Sequence, residues 1–117
     1  MTADELTEEL LRLSRLLDDA LAFLRRETGE YAEAEDAYRM AWALAFLEAS
    51  GPVQERKAKA DRLTSDQRRR AHLSEGMRQA GLEAVRSRRA QLSALQTAAN
   101  AHRAEAELAR FGPELEP

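Results

Sequence analysis

Apolar residues near the start of the chain step by fours and threes: Leu6, Leu10, Leu13, Leu17, Ala20 and Leu24. This heptad-like seam, widened by Leu16 and Phe23, predicts an amphipathic helix. Thr2 or Asp4 supplies its N-cap. Asp4, Glu5, Glu8 and Glu9 suit the positive end of its dipole. Gly29 either ends the helix or only weakens it. A second helical stretch follows from Tyr31 to Ala49, where Tyr31, Ala34, Tyr38, Ala41, Trp42 and Ala45 form a stripe of aromatic and small residues. Tyr31, Tyr38 and Trp42 are expected in the core, with base stacking as the lesser alternative, and the small positions allow close helix approach. Ser50-Gly51-Pro52 is the strongest punctuation in the sequence and closes this stretch.

Val53 to Leu63 reads as a short basic helix or an ordered loop. Thr64 and Gln67 have the spacing of a capping box and predict the start of a further helix. From there Ala71, Met77 or Ala80, Ala84, Val85, Leu92, Leu95, Ala99, His102, Ala106 and Ala109 recur on one helical face. Gly76 and Gly81 weaken that helix by about 1 kcal/mol each against alanine, which does not cancel it. Gly112-Pro113 is expected to end it, leaving Glu114 to Pro117 as a frayed tail. Such a helix is about 65 Å long at 1.5 Å per residue and needs a bundle, a kink or a partner. No alternating strand pattern occurs. The expected class is all-α: a helical hairpin or bundle with a long C-terminal helix, assembling into an oligomer. It divides into acidic N-terminal helices over 1–50, a basic segment and long assembly helix over 53–110, and a tail over 111–117, one domain in all.

Composition sharpens the need for assembly. Hydrophobic residues make up 44% of the 117 positions, yet only 5% are aromatic and many of the rest are alanine. Alanine faces bury little area per residue, so an isolated chain is short of core. Mean hydropathy is −0.61. There is no cysteine, which excludes disulfides, thiolate metal sites and cysteine nucleophiles. No apolar run approaches the roughly 20 residues of a membrane span. The acidic opening Thr2-Ala3-Asp4-Glu5 is unlike a basic signal peptide. The expected location is the cytoplasm, with no membrane partner.

Charge is distributed unevenly. The net formal charge is −3, but residues 1–53 carry −7, residues 54–89 carry +6 and residues 90–117 carry −2. Arg56, Lys57, Lys59, Arg62, Arg68, Arg69, Arg70, Arg86, Arg88 and Arg89 therefore form a candidate surface for a polyanion. The plain alternative is a solvated helical face, in which Arg62 pairs with Asp66 and Arg86 with Glu83. The triplets Arg68 to Arg70 and Arg86, Arg88, Arg89 have little such compensation. The basic segment contains no aromatic residue, so base stacking would have to come from elsewhere. Contacts to phosphate, independent of sequence, are expected.

Chemistry is otherwise sparse. His72 and His102 have no carboxylate–histidine spacing around them, so neither a catalytic nor a metal site is expected. Glu33, Glu35 and Asp36 lack an accompanying E-x-x-H pattern. There is no P-loop, dinucleotide fingerprint, nucleophile elbow or zinc-finger spacing. No cofactor is implied, and an enzyme is not expected.

Gly81-Leu82-Glu83-Ala84-Val85-Arg86-Ser87-Arg88, followed by Leu92, Leu95 and Gln96, resembles the C-terminal helix of the UvsY-type phage recombination mediators. Arg103, Glu105 and Ala106 are similar to the family's ending, and the Ala-rich helix closing on Ser50-Gly51 is similar to its helix before a Ser-Gly break. The resemblance spans roughly residues 30–110 and rests on short helical motifs. It implies a cytoplasmic, ring-forming, helical protein that binds single-stranded DNA non-specifically. Such a protein helps load a RecA-like recombinase onto DNA covered by single-strand-binding protein. It further implies that Leu82, Val85, Leu92 and Leu95 serve assembly. Where the family carries a Lys-Ala-Arg motif linked to DNA binding, this chain has Ala43, Leu44 and Ala45; its basic load stands at 56–70, beyond the break. Without the resemblance, a non-enzymatic scaffold or protein-interaction role, in virion assembly or regulation, fits the same composition.

Overall fold

The computed structural model describes the backbone of residues 1–115 and the side chains of residues 1–111. It contains α1 (Ala3–Glu48), α2 (Val53–Leu63) and α3 (Ser65–Leu115), and no strand among the described residues. The chain is all-α with a long C-terminal helix.

Thr2 starts α1 through a reciprocal capping box. Its hydroxyl accepts from the Glu5 N–H at 3.1 Å, and the Glu5 carboxylate accepts from the Thr2 N–H at 3.1 Å. Two orphan donors of the first turn are thereby satisfied. Gly29 does not end the helix; the two stretches expected before Ser50 are one continuous element. A single interior glycine costs about 1 kcal/mol, too little to outweigh the packing on either side of it. The break comes at Gly51, whose φ of +109° lies in the left-handed region that a side chain resists. Pro52 then leads into α2 in extended conformation.

Thr64 is the joint between α2 and α3. Its N–H and its hydroxyl both donate to the Ala60 carbonyl, at 3.1 and 2.7 Å, and its own carbonyl accepts from the Arg68 N–H at 3.0 Å. The expected capping box with Gln67 is not formed, because the hydroxyl is committed backwards to Ala60. Gln67 Oε1 is left buried without a partner. α3 also continues through Gly112-Pro113 to Leu115, where a stop was expected. Proline forfeits one backbone donor, and in the last turns of a long helix that loss does not end the element. The remainder of the expected tail, residues 116 and 117, lies outside the described residues.

The chain forms two compact units. One comprises residues 1–21 and 84–117, the other residues 22–83. In the first, Leu6, Leu13 and Val85 are buried. Leu6 and Leu10 share a hollow with Ala99, His102 and Ala106, and Leu13 shares one with Leu95 and Ala98. Later residues of α1 meet earlier residues of α3, so the pairing is antiparallel. The leucine seam of the sequence thus packs within its own chain.

In the second unit the fully covered side chains are small: Ala34, Ala49, Ala60, Thr64 and Ala71. The aromatic residues Phe23, Tyr31, Tyr38, Trp42 and Phe46 are half-buried around them. At Gly81 the backbones of α1 and α3 come close; a Cβ there would lie 3.2 Å from Phe23 Cδ1 and 3.3 Å from Leu24 Cα. α2 is tied to α1 by two polar contacts. Trp42, stacked on Phe46 at 5.3 Å, donates its indole N–H to Asp61 at 2.8 Å. Arg56 packs its guanidinium 4.2 Å from the Phe46 ring centre and donates to the Phe46 carbonyl at 3.1 and 3.3 Å. That carbonyl belongs to the last turn of α1, where acceptors lack helical donors.

Candidate nucleic-acid interface

The basic residues proposed from sequence fall on both units. Lys57, Lys59, Arg62, Arg68, Arg69 and Arg70 belong to the 22–83 unit and are exposed. Arg56 belongs there too, but it is half-buried and held by Phe46. Its guanidinium is engaged in joining two helices and is not presented to solvent with the others. In the other unit Arg86 and Arg89 are exposed, while Arg88 is half-buried and donates to Gln91 Oε1 at 3.0 Å. Of the proposed assembly residues, Val85 is 4% exposed within its own chain and has almost no surface left for a neighbour. Leu82, Leu92 and Leu95 are half-buried.

Helical geometry splits the Arg68 to Arg70 run, since consecutive residues point about 100° apart. Arg68 and His72, one turn apart on α3, line an open hollow of about 430 Å³ with Tyr31, Glu35, Tyr38, Ala71 and Glu75. A second hollow of about 340 Å³ shares Arg68 and His72 and adds Asp61, Ser65, Arg69 and Leu73. Arg68 and His72 line both, so the two hollows adjoin and are taken together as a groove. Arg70 lines neither.

The acids of the groove are engaged by the protein itself. Glu35 pairs with Arg39 at 3.0 Å. Asp61 accepts from Trp42. Glu75 pairs with Arg78 at 2.8 Å and accepts from Gln79 at 2.9 Å. The Arg78 hydrogen bond, followed by that from Gln79, draws the Glu75 carboxyl from its ordinary 4.5 down to about 2 against the opposing effect of desolvation. The nearby Tyr31 adds a smaller effect in the same direction. Arg78 also lies 5.4 Å from the Tyr31 ring centre. By contrast, Arg68, Arg69 and His72 have no side-chain partner among the described residues. The groove therefore offers uncommitted donors beside carboxylates that each have a protein partner, Glu35 and Glu75 in ion pairs and Asp61 in a hydrogen bond to a neutral indole.

Tyr31, Tyr38 and His72 are the groove residues that the basic pattern alone does not single out. Tyr31, Glu35 and Tyr38 follow the i, i+4, i+7 spacing of one helix face, and His72 stands four residues after Arg68. Those spacings place each set on a common face. They do not place the faces together.

Among the described residues no group of three or more histidine, aspartate or glutamate side chains is arranged to hold a metal ion. No helix among them is long and apolar enough to cross a membrane. Compared with known proteins, the chain matches no family model, no curated protein and no solved structure.

Proposed function

We propose that this chain binds single-stranded DNA without sequence preference, acting as a homo-oligomeric recombination mediator in the bacterial cytoplasm. The observation that carries the binding role is the groove in which Arg68, Arg69 and His72 are uncommitted while Glu35, Asp61 and Glu75 each have a protein partner. An anion entering there meets donors without displacing an internal ion pair. Lys57, Lys59 and Arg62, exposed on α2, extend the field toward the strand's neighbouring phosphates. Assistance to a RecA-like recombinase on DNA coated with single-strand-binding protein is supported by the resemblance of the 81–96 segment alone.

Oligomerisation is supported by apolar surface. Met40, Leu44 and Leu47 follow one another at helical spacing on α1 and are 67%, 57% and 71% exposed. The same stripe favours the second reading, a scaffold or regulator that offers a helix face to another protein. Anisotropy of a labelled single-stranded oligonucleotide, titrated at several salt concentrations beside a duplex control, separates the two. A mediator binds the single strand more tightly and loses affinity steeply with salt. A scaffold forms oligomers and ignores both probes.

A further inference from the structure

Tyr38 differs from its neighbour in the groove. Tyr31 is already engaged by the protein: the Arg78 guanidinium lies over its ring, 5.4 Å from the centre. Tyr38 is half-buried and makes no polar or ring contact with any described side chain. It lines the same hollow as Arg68 and His72, on the facing helix. Facing an open space of about 430 Å³, an uncommitted phenol ring stands opposite two uncommitted nitrogen donors. That volume falls within the roughly 300–1,000 Å³ of small-ligand sites.

From this arrangement we infer that the hollow seats one unstacked nucleotide, with its base on the Tyr38 ring and its phosphate held by Arg68 and His72. Tyr31, covered by Arg78, lines the same hollow. The inference rests on the phosphate-binding role proposed above and adds the base to it. It supplies the aromatic component that the basic segment lacks. It also gives single strands an advantage over duplex in chemical terms, since a base paired and stacked in a helix cannot present its face to a side chain. Hydrogen-bond readout of base edges is not required, so preference among the four bases stays small.

The test uses the full chain and two labelled strands of about 20 nucleotides, longer than common single-strand sites. One is oligo(dT); the other has the same backbone with abasic sugars throughout. The expected result is that the wild-type chain binds oligo(dT) roughly ten-fold more tightly than the abasic strand. Tyr38→Ala removes that difference by weakening oligo(dT) alone, and Tyr38→Phe keeps it, since a phenyl face still stacks. Circular dichroism confirms that each variant remains helical. Equal binding of both strands by the wild-type chain overturns the stacking role while the phosphate contacts stand. Equal loss on both strands in helical Tyr38→Ala also overturns it, because the ring then only positions the donors. If neither strand binds at low salt, the phosphate role and the stacking role fall together.

Discussion

The guanidinium of Arg56 lies 4.2 Å from the ring centre of Phe46 and donates to the carbonyl of the same residue. One side chain thus caps the end of α1 and joins it to α2. Arg56→Ala should lower stability by about 1–2 kcal/mol, combining a part-buried hydrogen bond with a cation–π contact. Arg56→Lys should recover little of it, since a single ammonium cannot both stack and reach that carbonyl in the same way. Urea unfolding of the two variants checks the magnitude. The salt dependence of DNA binding should stay unchanged, because Arg56 is already occupied.

The arginine run should divide in function. In Arg68→Ala/Arg69→Ala, the slope of log affinity against log salt should flatten by about 1.4, at about 0.7 per phosphate contact on single strands. Arg70→Ala, outside the groove, should flatten it less than either single change at 68 or 69. A larger effect at Arg70 would move the strand to another face of α3.

Glycine positions on the helices should respond in opposite ways. At Gly29 and Gly76 an added Cβ meets nothing within 4 Å. Alanine at either should stabilise by up to about 1 kcal/mol through helix propensity. At Gly81 the same methyl presses on the backbone of Leu24 at 3.3 Å. Gly81→Ala should therefore forfeit most of that gain, and Gly81→Leu should destabilise by more than about 1 kcal/mol through overpacking. Thermal unfolding of the set reads the contrast directly.

Glu75 should contribute a definite acid limb to stability. Its folded value, drawn down to about 2 by Arg78 and Gln79, lies below the ordinary 4.5. A depressed carboxyl stabilises the fold above its unfolded value and loses that contribution as pH falls through the interval from 4.5 to about 2. Urea midpoints at near-neutral and strongly acid pH should therefore differ less in Glu75→Gln than in the wild type. The same variant removes a carboxylate from the hollow and releases Arg78 beside Tyr31, and it should bind single strands more tightly at neutral pH.

Much of the architecture was legible because periodicity reports burial. The Leu6–Leu24 seam, the Thr2 cap and the Ser50-Gly51-Pro52 break are all found where the pattern placed them. Local rules gave less where two of them competed. Thr64 had the spacing to cap Gln67, yet its hydroxyl turned back to Ala60. Both choices satisfy one hydrogen bond, so spacing cannot decide between them. Gly29 left open whether the helix ended or was only weakened, because helix propensity is local, whereas the packing that carries α1 across it is not. The groove was the least legible feature. Tyr38 and Arg68 are separated by a break, a short helix and a joint, and only the antiparallel register of α1 against α3 brings them into one hollow. Charge counting singles out Arg68, Arg69 and Arg56 alike, since it does not register that a guanidinium can be occupied by a ring and a carbonyl.

Trp42 is the chain's single tryptophan, and its indole N–H is bonded to Asp61, a wall of the groove beside Arg68 and Arg69. Asp61 is thus shared between an internal emitter and the space a strand would fill. Its hydrogen bond to the indole sets the polarity the excited state experiences. A phosphate drawn to Arg68 or Arg69 should change the field at that carboxylate and, with it, the emission maximum. If a strand fills that space, the emission of Trp42 should shift with occupancy in unlabelled protein, a readout internal to the molecule.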